Sequence, residues 1–292
     1  TDKKILIVGL GLMGGSYAKA LKRFGFHISA LSDKQADIDY ALKHKIISEG
    51  SSEINAEMIS EADIIIFALY PHIFKEWILK NQKFIKPGAL LTDVTGVKGC
   101  IVYDIQDILR PDVEYIAAHP MAGREVSGVE NSTPEMFIGA NYIVTPTKKN
   151  TPEAIKACIQ LGKVLGFHRV RTLSVEEHDE MIAFVSQLTH CIAVCLMCSS
   201  DDHGLVNYTG DSFRDLTRIA RINDEMWSEL FIMNGAPLGG VLTELEANIA
   251  ALRKIIESGD GERLKAALAA ATRRKAEYLN APCSSAGKDD VR

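Results

Sequence analysis

Two short segments carry residue types and spacings that could do chemistry. Glycines recur at Gly9, Gly11 and Gly14, directly after a short apolar run. This spacing lets a turn approach a pyrophosphate at the start of a helix. Later in the chain, His119 directly follows a second apolar run, and an imidazole with an ordinary pKa of about 6.5 is suited to general-base catalysis near neutral pH. Together the segments predict hydride transfer to a bound dinucleotide, with a histidine as base.

An acidic residue completes the dinucleotide pattern. Asp33 lies about 20 positions beyond the glycines, at the predicted end of the second strand, where a carboxylate accepts hydrogen bonds from ribose hydroxyls. The same carboxylate repels a 2′-phosphate, so we expect NAD rather than NADP; the alternative is a glycine turn without a ligand. The residues predicted to contact the cofactor follow strands or begin the first helix: Gly9, Gly11, Leu12, Met13, Gly14, Asp33, Leu69, Tyr70, Pro71 and Thr95.

The second half of the chain offers three further clusters. His190 and Ser186 share one face of a predicted helix, either as a site or as satisfied core groups. Arginines at positions 214, 218 and 221 recur at helical spacing, either for carboxylate recognition or as a solvated face. Cysteines at positions 191, 195 and 198 form a similar stripe. We interpret the cysteines as small core residues rather than as zinc ligands, and we expect no metal site.

Composition narrows the class of protein. The 292 residues carry a net charge of −5 and are 47% hydrophobic, so neither nucleic acid nor an anionic membrane is an expected partner. The six cysteines, Cys283 included, lack the spacing of a disulfide scaffold, and no targeting segment precedes the first strand, so a cytoplasmic protein is expected. Residues Met181–Ser200 lack charged side chains over about the length of a bilayer span. Their polar residues favour a buried helix instead.

Alternating strands and helices must position these groups. The predicted strands are Lys4–Val8, Ile28–Ser32, Ile64–Leu69, Leu90–Val94, Tyr115–Ala118, Tyr142–Thr145 and His168–Thr172, and the helices between them include Gly14–Phe24, His72–Gln82, Lys98–Leu109 and Pro152–Leu165. After residue 174 only helices are predicted, at 175–200, 212–221, 223–234, 237–258 and 260–279. A capping box is predicted at Ser212–Asp215. Loops are predicted at Gly204–Gly210 and Gly235–Gly240, and a frayed tail after Pro282. The expected fold is an α/β Rossmann-type domain with a doubly wound parallel sheet (residues 1–173), followed by an all-α C-terminal domain (residues 174–292).

The combined motifs resemble the prephenate/arogenate dehydrogenases of tyrosine biosynthesis over nearly the whole chain. The segments that carry this resemblance are Gly9–Gly15, Thr92–Gly99, His119–Gly123 followed by Glu125, Ser186–His190, and Phe213–Ala220 with Trp227 beyond. Two departures are visible. Gly96 stands where many members have a serine that assists the histidine, and Gln187–His190 departs from the usual His-Leu-Pro-His.

The resemblance implies an NAD-dependent oxidative decarboxylation of prephenate or arogenate. It implies that His119 takes the proton of the 4-hydroxyl group, that His190 lies in the substrate site, and that Arg218 binds substrate carboxylate. The further substrate-site residues that it implies are Arg214, Thr95, Gly96, Ser186 and Glu125, with Glu125 shaping or gating the entrance. Thr95 is expected to replace the missing serine hydroxyl only in part, and the C-terminal regulatory domain of some relatives is expected to be absent.

Two other functions stay open at the level of sequence. A β-hydroxyacid dehydrogenase or imine reductase opens with a similar glycine motif, but it generally uses a lysine on a glycine-rich interdomain helix. A non-catalytic NAD-binding regulator would need neither His119 nor Arg218. In each case the apolar character of residues 181–198, together with the helices that follow, predicts a homodimer built by the helical half.

Overall fold

The computed structural model describes residues 3–280 of the chain. Cys283 and the tail predicted to fray after Pro282 lie outside the described residues. By internal packing the chain divides into two compact units, the first ending at Asn234 and the second beginning at Gly235. The domain boundary predicted between residues 173 and 174 stays a prediction.

A six-stranded parallel sheet forms the centre of the first unit. Its strands are β1 (Lys4–Val8), β2 (His27–Leu31), β3 (Glu49–Ser51), β4 (Ile64–Phe67), β5 (Leu90–Asp93) and β6 (Glu114–Tyr115), and its helices are α1 (Leu12–Lys22), α2 (Gln35–Lys43), α3 (Ala56–Glu61), α4 (Pro71–Asn81) and α5 (Val102–Ile108). The strand order β3-β2-β1-β4-β5-β6 is that of a Rossmann-type doubly wound sheet, which confirms the predicted fold class. The short strand β3 was not predicted.

Two apolar layers cover the two faces of this sheet. Along β1, Ile5 and Ile7 belong to one buried cluster with Tyr17 of α1, whereas Leu6 and Val8 belong to the other. Successive side chains of a strand point to opposite faces, so a run of consecutive apolar residues is what a sheet covered on both sides requires. Helices and apolar side chains thus cover both faces of the sheet, and the ends of its strands are left for polar groups.

A second, three-stranded sheet carries His119. It consists of β7 (Ala117–Met121), β8 (Asn141–Thr145) and β9 (Arg169–Thr172), with helix α6 (Pro152–Val164) between the last two strands. Strand β7 is antiparallel to β8, so the prediction of parallel strands alone is wrong here. His119 pairs with Ile143 inside β7 and does not follow the end of a strand.

The hydrogen bonds around β5 explain this division. The predicted strand Tyr115–Ala118 splits at Ile116, whose N–H still donates to the Leu91 carbonyl of β5 at 3.0 Å. The next ladder donor, the Ala118 N–H, instead meets the Asp93 side chain at 3.1 Å. A carboxylate at the end of β5 thus replaces the backbone acceptor, and the chain crosses into the second sheet.

The remaining described chain is helical. Its helices are α7 (Val175–Ile182), α8 (Leu188–Met197), α9 (Asp211–Thr217), α10 (Asp224–Met233), α11 (Gly235–Glu257) and α12 (Gly261–Asn280), with a π-helical segment, Ala183–Gln187, between α7 and α8. The predicted capping box at Ser212 is wrong, because Gly210 precedes α9 and offers no side chain to cap it. The capping box lies instead at Ser174 and Glu177, at the start of α7. The loop predicted over Gly235–Gly240 is the first part of α11, since glycine is tolerated in helices at a cost of about 1 kcal/mol each.

The continuous helical stretch Val175–Met197 is less buried than predicted. Its 23 residues and its mean hydropathy of 1.6 would allow it to cross a membrane, values that core helices of soluble proteins also reach. Within it Phe184 is 60% exposed. Cys195 and Cys198, which were interpreted as core residues, are exposed as well. One chain therefore leaves an apolar helical face uncovered.

Candidate active site

The turn after β1 leaves space for a phosphate. Gly9 adopts a φ of +95°, and a Cβ there would lie 2.3 Å from the Ala68 carbonyl oxygen. A Cβ on Gly14 would lie 1.9 Å from the Gly9 carbonyl oxygen. A Cβ on Gly11, by contrast, would meet no atom within 4 Å. Gly11 precedes α1, whose first N–H groups have no partner within the helix, so the open space fits an anionic group at a helix N-terminus.

The other predicted cofactor residues flank this turn. Asp33 is exposed just beyond β2, and Leu69 and Tyr70 follow β4 directly before Pro71 begins α4. Both strands are neighbours of β1 in the sheet. The Gly9 N–H donates to the Leu31 carbonyl at 2.8 Å, which ties the turn to β2. The carboxyl edge of the sheet thus presents phosphate-binding N–H groups with a carboxylate beside them, a set that fits a dinucleotide.

A buried polar network lies at the end of β5. The Asp93 and Lys98 side chains are fully buried and form an ion pair, with 2.7 Å between Oδ2 and Nζ. Lys98 Nζ also donates to the Ala118 carbonyl at 2.6 Å, and the Tyr115 hydroxyl donates to Asp93 Oδ1 at 2.9 Å. The Thr95 hydroxyl donates to Asp93 Oδ2 inside the same network. That hydroxyl is buried and engaged by Asp93 and Lys98, and the predicted role of Thr95 in the cofactor and substrate sites stays a prediction.

His119 is not the isolated imidazole that its sequence context suggested. Its Nδ1 lies 2.9 Å from Nε2 of His178, and Nδ1 of His178 lies 2.7 Å from Oδ1 of Asp179. The Asp179 carboxylate also accepts the backbone N–H groups of Lys98, at 2.9 Å, and of Gly99, at 2.6 Å. Helix α7 thus brings a fully buried histidine and an anchored carboxylate behind the predicted base.

Burial changes the proton affinity of both imidazoles. Desolvation, with nearby His178 and Lys98, lowers the pKa of His119 well below its usual value of about 6.5. Desolvation also lowers the pKa of His178, although its hydrogen bond to Asp179 opposes that shift. Both rings are therefore neutral at physiological pH, and His119 is ready to accept a proton.

Gly96 lies near the second ring nitrogen of His119. A Cβ at this position would lie 3.9 Å from His119 Nε2 and 3.4 Å from Leu230 Cδ1, which are ordinary contact distances. Gly96 thus lies between Nε2 of His119 and Leu230 of α10, and a Cβ is tolerated there.

His190 lies against an aromatic side chain. Its Nδ1 lies 2.9 Å from the Ser186 carbonyl oxygen, which can only accept, so Nδ1 carries the proton in the neutral ring. The ring stacks on Trp227 with 3.8 Å between centroids. Desolvation lowers the pKa of His190. Ser186 contributes this carbonyl from the π-helical segment, and its hydroxyl is not needed for the contact.

The two predicted arginines differ in their surroundings. Arg218 forms an ion pair with Glu125, so the predicted carboxylate-binding group already meets a carboxylate. Arg214 is held locally, by the Thr209 carbonyl at 2.8 Å and by Asp211 at 2.5 Å. Helix α9 ends at Thr217, before Arg218, so the predicted common helical face of the arginines is interrupted. The charges of Glu125 and Arg218 shift the pKa of His190 in opposite directions, Glu125 raising it and Arg218 lowering it.

Sequence reasoning missed the groups that hold the base. His178 and Asp179 appeared only as polar residues in the first turns of a helix, and Lys98 and Asp93 only as parts of a motif. A signal was nonetheless present, because Ser174 and Glu177 mark the start of α7 and so set which residues of its first turns face inward. The contact between His178 and His119 could not be predicted, because it joins residues 59 positions apart. Asp179 likewise accepts backbone N–H groups from residues 80 and 81 positions away.

Comparison with known proteins agrees with this arrangement. Two family models match the chain: the nucleotide-binding domain of prephenate dehydrogenase over residues 17–170, and the dimerization domain of prephenate dehydrogenase over residues 174–270. Cyclohexadienyl dehydrogenase of Zymomonas mobilis is 27% identical over 269 residues, which cover 90% of this chain and 91% of that protein. Prephenate dehydrogenase of Bacillus subtilis is 30% identical over 269 residues, which cover 89% of this chain and 72% of that protein.

A solved structure is similar throughout. The crystal structure of prephenate dehydrogenase from A. aeolicus, in complex with hydroxyphenyl propionate and NAD+, aligns with a TM-score of 0.87 and 31% identity, covering 95% of this chain and 99% of that chain. These relatives and the family models identify an oxidoreductase of the same type. The chain belongs to the prephenate dehydrogenase family.

Proposed function

We propose that this enzyme catalyses the NAD-dependent oxidative decarboxylation of prephenate or arogenate, giving 4-hydroxyphenylpyruvate or tyrosine. The observation that carries the proposal is the arrangement of His119. Its Nδ1 is engaged by His178, and its Nε2 lies near Gly96. A neutral imidazole whose second nitrogen has no hydrogen-bond partner among the described residues is suited to accept a hydroxyl proton.

The reaction balances with a single proton-accepting group. Bound NAD supplies the hydride acceptor. His119 Nε2 takes the proton of the 4-hydroxyl group as the C4 hydrogen leaves as hydride and the C4–O bond becomes a carbonyl. The bond between the ring and its carboxylate then breaks, CO2 departs, and its electron pair makes the ring aromatic. The resulting phenolate oxygen takes a proton back from His119, so the base is restored.

Arg218 and His190 are proposed to bind the substrate rather than to transfer protons. An arginine pairs well with a planar carboxylate. Glu125 occupies Arg218 in the free enzyme, so a substrate carboxylate would compete with Glu125 for the guanidinium. His190, with its proton on Nδ1, offers Nε2 as an acceptor toward a substrate hydroxyl or ammonium group.

A steady-state assay with purified protein tests this proposal. Prephenate and arogenate are each supplied with NAD and with NADP, NADH formation is followed by absorbance, and the aromatic product is identified by chromatography. We expect turnover of at least one substrate with NAD, with one CO2 released per NADH formed. NADH formation without CO2 release, or no turnover of either substrate, would contradict the proposal.

We also propose a cytoplasmic homodimer. The exposed apolar side chains between residues 181 and 197, Phe184 among them, support a second copy as the covering partner. The five described cysteines are free thiols, as in a reducing compartment. Light scattering at micromolar concentration should give twice the mass of one chain.

A pair of matched variants separates this interface from general surface effects. Phe184→Glu should give a monomer. Phe24→Glu should leave the dimer intact, because Phe24 is equally exposed, at 58%, but lies just after α1 in the nucleotide-binding region. A wild-type monomer at micromolar concentration would rule out the dimer.

A further inference from the structure

Three side chains are joined in a line that ends at the proposed base. The line runs from His119 Nδ1 to His178 Nε2, at 2.9 Å, and from His178 Nδ1 to Asp179 Oδ1, at 2.7 Å. The far end is fixed, because the Asp179 carboxylate accepts two backbone N–H groups, from Lys98 and Gly99. These two residues follow Gly96 on the loop that passes near His119 Nε2.

The chemistry of each group sets the direction of every hydrogen bond in this line. An ionised carboxylate only accepts hydrogen bonds, so His178 Nδ1 must carry a proton. A neutral His178 then has a lone pair on Nε2, which accepts the Nδ1–H of His119. His119 in turn has its lone pair on Nε2, the nitrogen that lies near Gly96.

The other charged groups packed around the pair leave this assignment intact. The Lys98 ammonium group is held by Asp93 and by the Ala118 carbonyl rather than by either imidazole. Its positive charge opposes a resting proton on His119 and on His178. A proton that arrives at His119 Nε2 during reaction creates an imidazolium, whose charge is stabilised through His178 by the Asp179 carboxylate.

We infer that His178 and Asp179 are positioning residues that hold His119 as its Nδ1–H tautomer, with Nε2 as the proton-accepting atom. The inference rests on the proposed function for its catalytic consequence, but the tautomer is a property of the free protein. His178 is buried completely, and the carboxylate of Asp179 is engaged by His178 and by two backbone N–H groups, so both residues act through His119.

The first test measures the tautomer directly. Protein labelled with ¹⁵N at histidine reports, through the shifts of the two ring nitrogens, which of them carries the proton, and His119→Asn identifies the signals. We expect Nδ1–H for His119 in the wild type near pH 7.5 and a shift toward Nε2–H in His178→Leu. Nε2–H in the wild type would overturn the inference, whether or not the enzyme turns over either substrate.

The second test measures the catalytic consequence. His178→Leu and Asp179→Asn should lower kcat by about 10- to 100-fold, the range typical of removing the hydrogen-bond partner that orients a metal-bound histidine, while NAD binding stays unchanged. His178→Gln should recover part of the loss, because its amide oxygen can still accept the Nδ1–H of His119. It also keeps the test valid if the leucine variant does not fold.

A matched histidine provides the control. His72 also contacts a carboxylate, Glu229, at 2.9 Å, but it is exposed at the start of α4. His72→Leu should leave the His119 tautomer and the midpoint of the pH–kcat/KM profile unchanged. If His178→Leu and Asp179→Asn also leave the His119 tautomer and the midpoint of the pH profile unchanged, His178 and Asp179 have no positioning role.

Discussion

Lys98 and Asp93 form a fully buried ion pair, with 2.7 Å between Nζ and Oδ2. The pair holds both backbone polar groups of Ala118, the residue before the proposed base. Lys98 Nζ donates to the Ala118 carbonyl at 2.6 Å, and the Ala118 N–H donates to Asp93 Oδ1 at 3.1 Å. The pair therefore fixes the backbone of β7 against the end of β5. His119 takes its place relative to the nucleotide-binding edge from this contact.

Removing one partner of this pair should be costly. Lys98→Met leaves the Asp93 carboxylate buried without its cation, which destabilises a protein by about 3–5 kcal/mol. Chemical denaturation measures the free energy of unfolding. Lys149→Met is the control, because its ion pair with Asp107 is exposed and such pairs contribute about 1 kcal/mol or less. Equal losses in the two variants would show that the buried pair has no special role.

The fold was predictable because it depends on patterns that are local in sequence. Strand β1, the glycine turn and helix α1 follow from an apolar run, a glycine spacing and one amphipathic segment. The passage from the first sheet into the second was not predictable. It depends on the Asp93 side chain taking the place of a backbone acceptor for the Ala118 N–H, a contact between residues 25 positions apart.

Part of the candidate site was predictable and part was not. His119 pointed to chemistry because it directly follows an apolar run, although the structure places it inside β7. The partner of its Nδ1, His178, lies 59 residues away in sequence. A buried histidine in a helix has no signature of its own, because the same residue in another context would be a satisfied core group.

The ion pair between Arg218 and Glu125 predicts how substrate binding responds to mutation. Arg218→Ala should raise KM, by on the order of 2 kcal/mol in binding free energy. We expect a value at the lower end of the range for a lost carboxylate contact, because the Arg218 side chain is 65% exposed and solvent weakens the contact. Arg214→Ala should change KM less, since Asp211 holds that guanidinium. A normal KM in Arg218→Ala together with a raised KM in Arg214→Ala would reassign the carboxylate contact to Arg214.

Asp33 predicts the choice of nicotinamide cofactor. Its exposed carboxylate beyond β2 should repel a 2′-phosphate, so kcat/KM should be higher with NAD than with NADP. Asp33→Asn should reduce the difference in kcat/KM between NAD and NADP. Asp39→Asn, which removes an exposed carboxylate further along α2, should leave the ratio unchanged. A wild-type preference for NADP would refute the assignment.

The lowered pKa of His119 changes the pH dependence expected from sequence. Sequence alone predicts a rise in kcat/KM through pH 6.5, the usual value for histidine. Burial lowers this pKa, and the neutral ring is the active form, so kcat/KM should stay flat from pH 8 to 6.5 and fall only at lower pH. A half-maximal kcat/KM at pH 6.5 or above would contradict a His119 with a lowered pKa as the titrating group.

The most direct test of the proposed base is the turnover of His119→Asn and His119→Ala with saturating NAD and substrate. Removing a general base typically costs about 10²–10⁴-fold in rate, so both variants should lose at least 100-fold in kcat. NAD affinity, measured by titration calorimetry, should match the wild type because the turn at Gly9–Gly14 is unaltered. A variant with normal NAD binding and a kcat within threefold of the wild type would show that His119 is not the base.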